Sequence, residues 1–239
     1  MPLKVFGHLH LTIGISIDHQ HGIRAQEREA LSKRATGSQA DRYVYDPLDV
    51  RPAELETAEL GNNLYHLFMG EQPLNETYAH NLFGNGLVYH TPRFETETIL
   101  SGAMKLTAWM SLDVPDTDFM VTVYEITRDG QSIYLTGDIM RARYRESLRE
   151  PKLVEPGTVT RFEFDGFQFF TRQLAKGSRL RVVVASPNSI WFEKNYNSGG
   201  VVAGERARDA RTATITLYHD ADHPSSLEVP VLTVGRPVS

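Results

Sequence analysis

An Asp–Gly pair set between two alternating runs restricts this chain more than any other feature. Asp129 and Gly130 separate Phe119, Val121, Val123 and Glu125, which share one side of a period-2 run, from a return run over residues 133–140. Both runs carry strand alternation, and Asp–Gly supplies the backbone conformation that a tight hairpin turn needs. An antiparallel hairpin is therefore expected, entered through an acidic loop at Asp113, Asp116 and Asp118. Past Met140 the chain reads Arg141, Ala142, Arg143, Tyr144, Arg145. At period 2 the three arginines share one face. The hairpin brings that face back toward Asp118, and carboxylates at a strand entrance pair with arginine or cap amides. Asp113, Asp116, Asp118, Arg141 and Arg143 are expected to form a structural Asp–Arg network. The spacing is not that of an EF-hand loop, so no metal site is assigned there.

The remaining chain repeats the strand signal. Leu9, Leu11, Ile13, Ile15 and Ile17 alternate with polar or small residues, as in a half-buried strand. Residues 18–40 are polar and charged and read as an arm, with a short exposed helix near 24–33. Residues 43–52 should be extended, because Pro47 and Pro52 push their predecessors out of helical space. The run 64–69 is apolar and of ambiguous type, and 87–90 is a strand stopped at Pro92. Met104, Leu106, Ala108, Met110 and Leu112 line one face of a core strand, with Trp109 on the other. Further strands fall at 159–164, 180–185, 212–217 and 227–234. About ten strands at regular turn spacing, with no long amphipathic helix, indicate an all-β sandwich or barrel.

Several runs are similar to the C-terminal domain of the X-Pro dipeptidyl-peptidase and cocaine-esterase (CocE/NonD) family of serine hydrolases. They begin at Asp41-Arg42-Tyr43-Val44-Tyr45-Asp46-Pro47 and continue through Asp116-Thr117-Asp118-Phe119 and Gly137-Asp138-Ile139-Met140-Arg141-Ala142-Arg143-Tyr144-Arg145-Glu146-Ser147. Leu153-Val154-Glu155-Pro156-Gly157, Lys176-Gly177-Ser178-Arg179-Leu180-Arg181-Val182, Asn195-Tyr196-Asn197-Ser198-Gly199-Gly200 and the segment from His219 to Val231 follow in the family's order. The resemblance implies a jelly-roll β-sandwich, galactose-binding-domain-like, over 41–239, preceded by an N-terminal strand and polar arm over 1–40. It also implies a partner: the α/β-hydrolase domain that carries the family's Ser-His-Asp machinery and that this chain does not contain. The residue after Gly177, often histidine in relatives, is Ser178 here.

The residues agree that no hydrolase site lies within the chain. Acyl transfer on an α/β-hydrolase needs Gly-x-Ser-x-Gly at a sharp strand-to-helix turn, and that pentapeptide is absent. The run Gly14-Ile15-Ser16-Ile17 breaks off at Asp18. With no cysteine, disulfides, thiolate metal sites and Cys nucleophiles are excluded. The pairs His8/His10 and His19/His21 read as surface histidines, and no cofactor is expected. A net charge of −5 argues against nucleic acid, and Glu146 and Glu150 offset the arginine run. Nothing approaches the ~20 apolar residues of a membrane helix, and no signal peptide is legible, so a cytoplasmic setting is expected.

Three roles follow. The first is a non-catalytic domain that shapes the acyl pocket or oligomer interface of an acyl esterase or X-Pro peptidase. The second is a free-standing carbohydrate- or ligand-binding module, using Trp191, Phe192, Asn195 and Asn197 as its binding loop. The third is a self-associating domain in which the strand from Leu9 to Ile17 pairs with a second copy.

Overall fold

The Asp–Gly hairpin is β6 (Asp118–Ile126) joined to β7 (Ser132–Arg141), in a computed structural model that describes residues 6–14, 40–62, 81 and 83–234. Gly130 takes φ +92°, and the Thr127 amide donates to the Gln131 carbonyl at 2.9 Å to close the turn. The ladder runs from Asp118 opposite Arg141 to Ile126 opposite Ser132, with Leu135 as an extra residue in β7. The other strands, in order, are β1 (Phe6–Gly14), β2 (Ala40–Tyr45), β3 (Gly86–His90), β4 (Thr98–Gly102) and β5 (Lys105–Leu112). After the hairpin come β8 (Thr160–Phe164), β9 (Phe170–Leu174), β10 (Arg179–Ala185), β11 (Ala213–Tyr218) and β12 (Ser226–Val234).

Among the described residues every ladder is antiparallel, and the strands fall into two sheets. One is β3-β10-β6-β7. The other has eight strands, but its registers reduce these to four long rows. β11 and β12 follow one another along one edge of β5: Tyr218 lies opposite Trp109 and Ser226 opposite Thr107, so residues 219–225 loop out across from Ala108. β4 and β5 likewise form one row, and β8 with β9 the next. The last row is β2 against β11 and β1 against the chain's own β12. The position after Ser101, where β4 ends, requires glycine. Gly102 sits at φ +146°, and a Cβ there would lie 2.7 Å from Pro230 Cβ. Four rows over four strands make an antiparallel sandwich, the all-β class that the alternation implies.

Apolar residues seal the two layers. Phe119, Val121 and Val123 of β6 and Leu180, Val182 and Val184 of β10 share one buried cluster with Leu106, Ala108 and Met110 of β5, Phe162 and Phe164 of β8, and Ile215 and Leu217 of β11. Phe119 meets Phe162 and Phe164 edge-on, at ring-centroid distances of 5.3 and 6.3 Å. Glu125 ends the same inward face at 2% exposure. Its carboxylate accepts from Arg172 Nε of β9 and Ser178 Oγ, both at 2.8 Å. A buried carboxylate must be paired in this way, and Ser178 thereby finds its partner.

One expectation needs correction. The chain is not extended through Pro52, because β2 ends at Tyr45 and a helix, α1 (Arg51–Asn62), begins before that proline. Proline is tolerated in the first helical turn, where its missing N–H has no intrahelical partner to lose. Asp49 Oδ1 accepts from the Arg51 amide at 3.2 Å, and the Ala, Glu and Leu that follow favour a helix. The run 64–69 and the helix placed near 24–33 lie outside the described residues, as do the histidines at 19 and 21. Among the described residues no helix is long and apolar enough to cross a membrane.

If the phenylalanine stack closes the two sheets, Phe119→Ala should cost about 3–5 kcal/mol of unfolding free energy in urea titration. A loss below ~1 kcal/mol would mean that this contact does not join the layers.

Candidate functional site

The registers gather four connections at one end of the sandwich. Tyr45 lies opposite Ala213, Leu112 opposite Ile215, and Asp118 opposite Arg141, while β10 ends at Ala185 opposite Gly86 of β3. The β2–β3, β5–β6, β7–β8 and β10–β11 segments therefore leave the sheets side by side. Loops at the end of a rigid sandwich are where such folds carry function.

A buried ionic cluster locks three of these loops. Arg141 grips Asp118 with both prongs, Nε to Oδ1 at 2.8 Å and Nη2 to Oδ2 at 3.0 Å, and extends Nη1 to Glu193 at 3.1 Å. Arg143 donates to Asp116 twice, from its backbone N at 2.9 Å and from Nε at 2.8 Å, and its Nη1 reaches the Gly200 carbonyl at 2.8 Å. Asn195 Nδ2 bridges the two aspartates, at 2.8 Å to Asp116 and 2.9 Å to Asp118. These lone pairs are committed to guanidinium and amide donors. Burial pushes the Asp116 carboxyl above its ordinary range, with Asn195 and Arg143 pulling it back. The Asp118 carboxylate drives the Arg141 guanidinium the other way from deprotonation, holding it charged.

The arginines reach these partners by a different backbone from the one period 2 implies. β7 stops at Arg141, and Ala142–Tyr144 is a single 3₁₀ turn, so Arg143 and Arg145 are not on a common strand face. The turn aims Arg143 at Asp116, while Arg145 donates to the carbonyls of Ala142 at 3.2 Å and Lys152 at 2.6 Å. Asp113 stands apart from the cluster. Its Oδ1 accepts from the Thr214 amide of β11 at 2.7 Å.

The four residues of the expected binding loop separate by burial. Asn195 is 2% exposed and Asn197 0%, whereas Trp191 and Phe192 are 55% and 42% exposed. Asn195 Oδ1 accepts from the Asn197 amide at 2.9 Å, and Asn197 Nδ2 donates to the Arg211 carbonyl at 2.7 Å. Asn197 holds φ +64°, a left-handed conformation that asparagine tolerates better than most residues. Both asparagines are thus framework, and only the aromatic pair faces solvent. Glu193, Glu205 and Glu56 complete the arrangement without a signal in the sequence. Glu205 accepts from the Tyr196 amide at 2.9 Å and from Ser198 Oγ, and Glu56 of α1 accepts from the Ile190 amide at 2.9 Å. Gly199, at φ +82°, lets the loop touch the acidic segment, since a Cβ there would lie 2.9 Å from Pro115 Cγ.

An antiparallel sandwich with interlocked loops at one end defines a framework domain. Comparison with known proteins identifies which. The family described as the X-Pro dipeptidyl-peptidase C-terminal non-catalytic domain matches residues 15–228, and the chain belongs to it. Cocaine esterase of Rhodococcus sp. (strain MB1 Bresler) is 30% identical over 203 residues, spanning 84% of this chain and 34% of the esterase. An aminopeptidase from a marine-sediment Thaumarchaeota archaeon superposes with TM-score 0.71 at 18% identity, over 95% of this chain and 37% of its own. An alpha-amino acid ester hydrolase follows at TM-score 0.66 and 20% identity, over 80% of this chain and 32% of its own. A CocE/NonD family hydrolase from Staphylococcus aureus superposes at TM-score 0.57 and 12% identity, over 95% of this chain and 37% of its own. The chain thus spans about a third of the length of these relatives.

Two substitutions test the cluster. Asn195→Asp would set a third carboxylate between Asp116 and Asp118. Asp116 already titrates above its unfolded value, so the stability it contributes is present at low pH and lost as pH rises through the raised pKa. The variant should enlarge this effect, and its melting temperature should fall further below the parent as pH rises above the ordinary aspartate range. A pH-independent difference would contradict the geometry. Gly199→Ala should cost about 1–3 kcal/mol, from left-handed strain and the Pro115 contact, and a chemical-denaturation difference near zero would mean the loop is free to move away.

Proposed function

We propose that the chain serves a CocE/NonD-type serine hydrolase as its rigid, non-catalytic β-sandwich and helps to shape the acyl pocket. The observation that carries this is the family match over 15–228 combined with a span of only 34% of the esterase relative. The physical contribution of such a domain is geometric. A wall whose loops are pinned by buried bonds holds its shape while water is excluded and substrate is oriented. The Asp116–Asp118–Arg141–Arg143–Asn195 cluster supplies that pinning. The substrate class implied by relatives named as an esterase, an aminopeptidase and an amino acid ester hydrolase is an ester or amide carbonyl compound.

The carbohydrate-binding alternative loses support from the same geometry, because Asn195 and Asn197 are buried and already bonded. Assembly into an oligomer through β1 would use that strand's edge away from β12, and it ranks second because β1 completes its own sheet. The purified chain is expected not to hydrolyse p-nitrophenyl esters above the buffer rate. Turnover that is abolished by a serine-directed inhibitor would overturn the non-catalytic assignment.

A further inference from the structure

The loop end holds an uneven share of the exposed apolar surface. Twelve large hydrophobic side chains stand exposed among the described residues, and eight of them lie in the converging loops. The other four are dispersed: Val44 on β2, Tyr134 and Ile139 on β7, and Phe169 beside β9. Concentration of this kind, not exposure of single residues, distinguishes an interaction surface.

Ile190, Trp191 and Phe192 are three consecutive exposed side chains of the β10–β11 loop, and specific bonds fix their neighbours. The Ile190 amide donates to Glu56 of α1, the Trp191 amide to Ser189 Oγ at 3.1 Å, and Lys194 Nζ to the Pro47 carbonyl at 2.9 Å. Asn188 also donates to the Asp49 carbonyl. These bonds draw the β10–β11 loop against the turn that carries Leu48 and Val50, both exposed. Beside the patch, charges are neutralised within the domain: Arg141 by Asp118 and Glu193, Arg143 by Asp116, Lys152 by Glu146, and Arg51 by Asp49. Exposed apolar side chains flanked by such ion pairs complement another folded protein surface.

We propose that the loop end is the face on which the hydrolase domain docks, with Trp191 and Phe192 as its central anchors. This rests on the reading that the chain serves such a hydrolase. Tryptophan at the centre of a desolvated patch typically dominates an interface, and pinned loops reduce the entropy lost on docking. The locking cluster beneath then has a purpose: it holds the anchors in place before the partner arrives.

The test joins this whole chain to the hydrolase portion of Rhodococcus cocaine esterase, in place of that enzyme's own matching third, and compares hydroxyl-radical footprints of the fusion and the free chain. The expected result is that oxidation of Trp191 and Phe192 falls about fivefold or more in the fusion, as in a water-excluding interface core, while Tyr134, Ile139 and Phe169 react as in the free chain. Trp191→Ser with Phe192→Ser should leave the free chain's melting temperature unchanged but lower the ester hydrolysis of the fusion. An active fusion protected at Tyr134, Ile139 and Phe169 instead of Trp191 would overturn the docking face and leave the functional reading standing. A fusion with no protection anywhere and no more esterase activity than the hydrolase portion alone would contradict both.

Discussion

Asp116 and Asp118 flank a single residue, Thr117, in a chain that must dehydrate them both, and much of the loop end is arranged around that difficulty. Two neighbouring carboxylates withdrawn from water repel each other and lose hydration. Arg141, Arg143 and the Asn195 amide answer this with donors from two other loops, so the pairing that neutralises the charge also ties the β7–β8 and β10–β11 connections to the β5–β6 loop. A buried pair of this kind is a weak source of net stability, since desolvation offsets much of its attraction. Its value here is geometric, because removing any one partner leaves a buried charge exposed to an apolar surround.

This division of labour explains how the sandwich and its loops relate. Apolar contacts such as Phe119 against Phe162 and Phe164 hold the sheets face to face. Directional bonds then decide where each loop lies, which hydrophobic packing alone cannot do. At the opposite end Glu125, Arg172 and Ser178 form a smaller cross-sheet tie of the same type. Between these ties the framework carries exposed aromatics on a base that does not have to order itself.

Much of the fold was legible in the chain because strands advertise themselves by alternation. The hairpin at Asp129 and Gly130, the core face from Met104 to Leu112 and the attraction between acidic loop and arginines all follow from period 2 and charge. Long-range register was not legible. No local signal shows that β11 and β12 share one edge of β5, since residues 219–225 leave the sheet and return. Nor does period 2 foresee the 3₁₀ turn at Ala142–Tyr144, which redirects Arg143 toward Asp116. Pro52 was misleading in the opposite sense, because a residue that breaks a helix interior is welcome in its first turn. The asparagines were the hardest to place: their composition fits a surface loop equally well, and only tertiary contact with the aspartates puts them inside.

The central claim is that the ionic cluster makes the loop end as rigid as the sheets. Native-state hydrogen exchange tests it most directly, at the Arg143 amide bonded to Asp116, the Asn197 amide bonded to Asn195 and the Val121 and Val123 amides of β6. The account predicts that the two loop amides exchange only through the global unfolding that releases β6, with matching opening free energies. Exchange of Arg143 and Asn197 through a local opening several kcal/mol below that of β6 would contradict it.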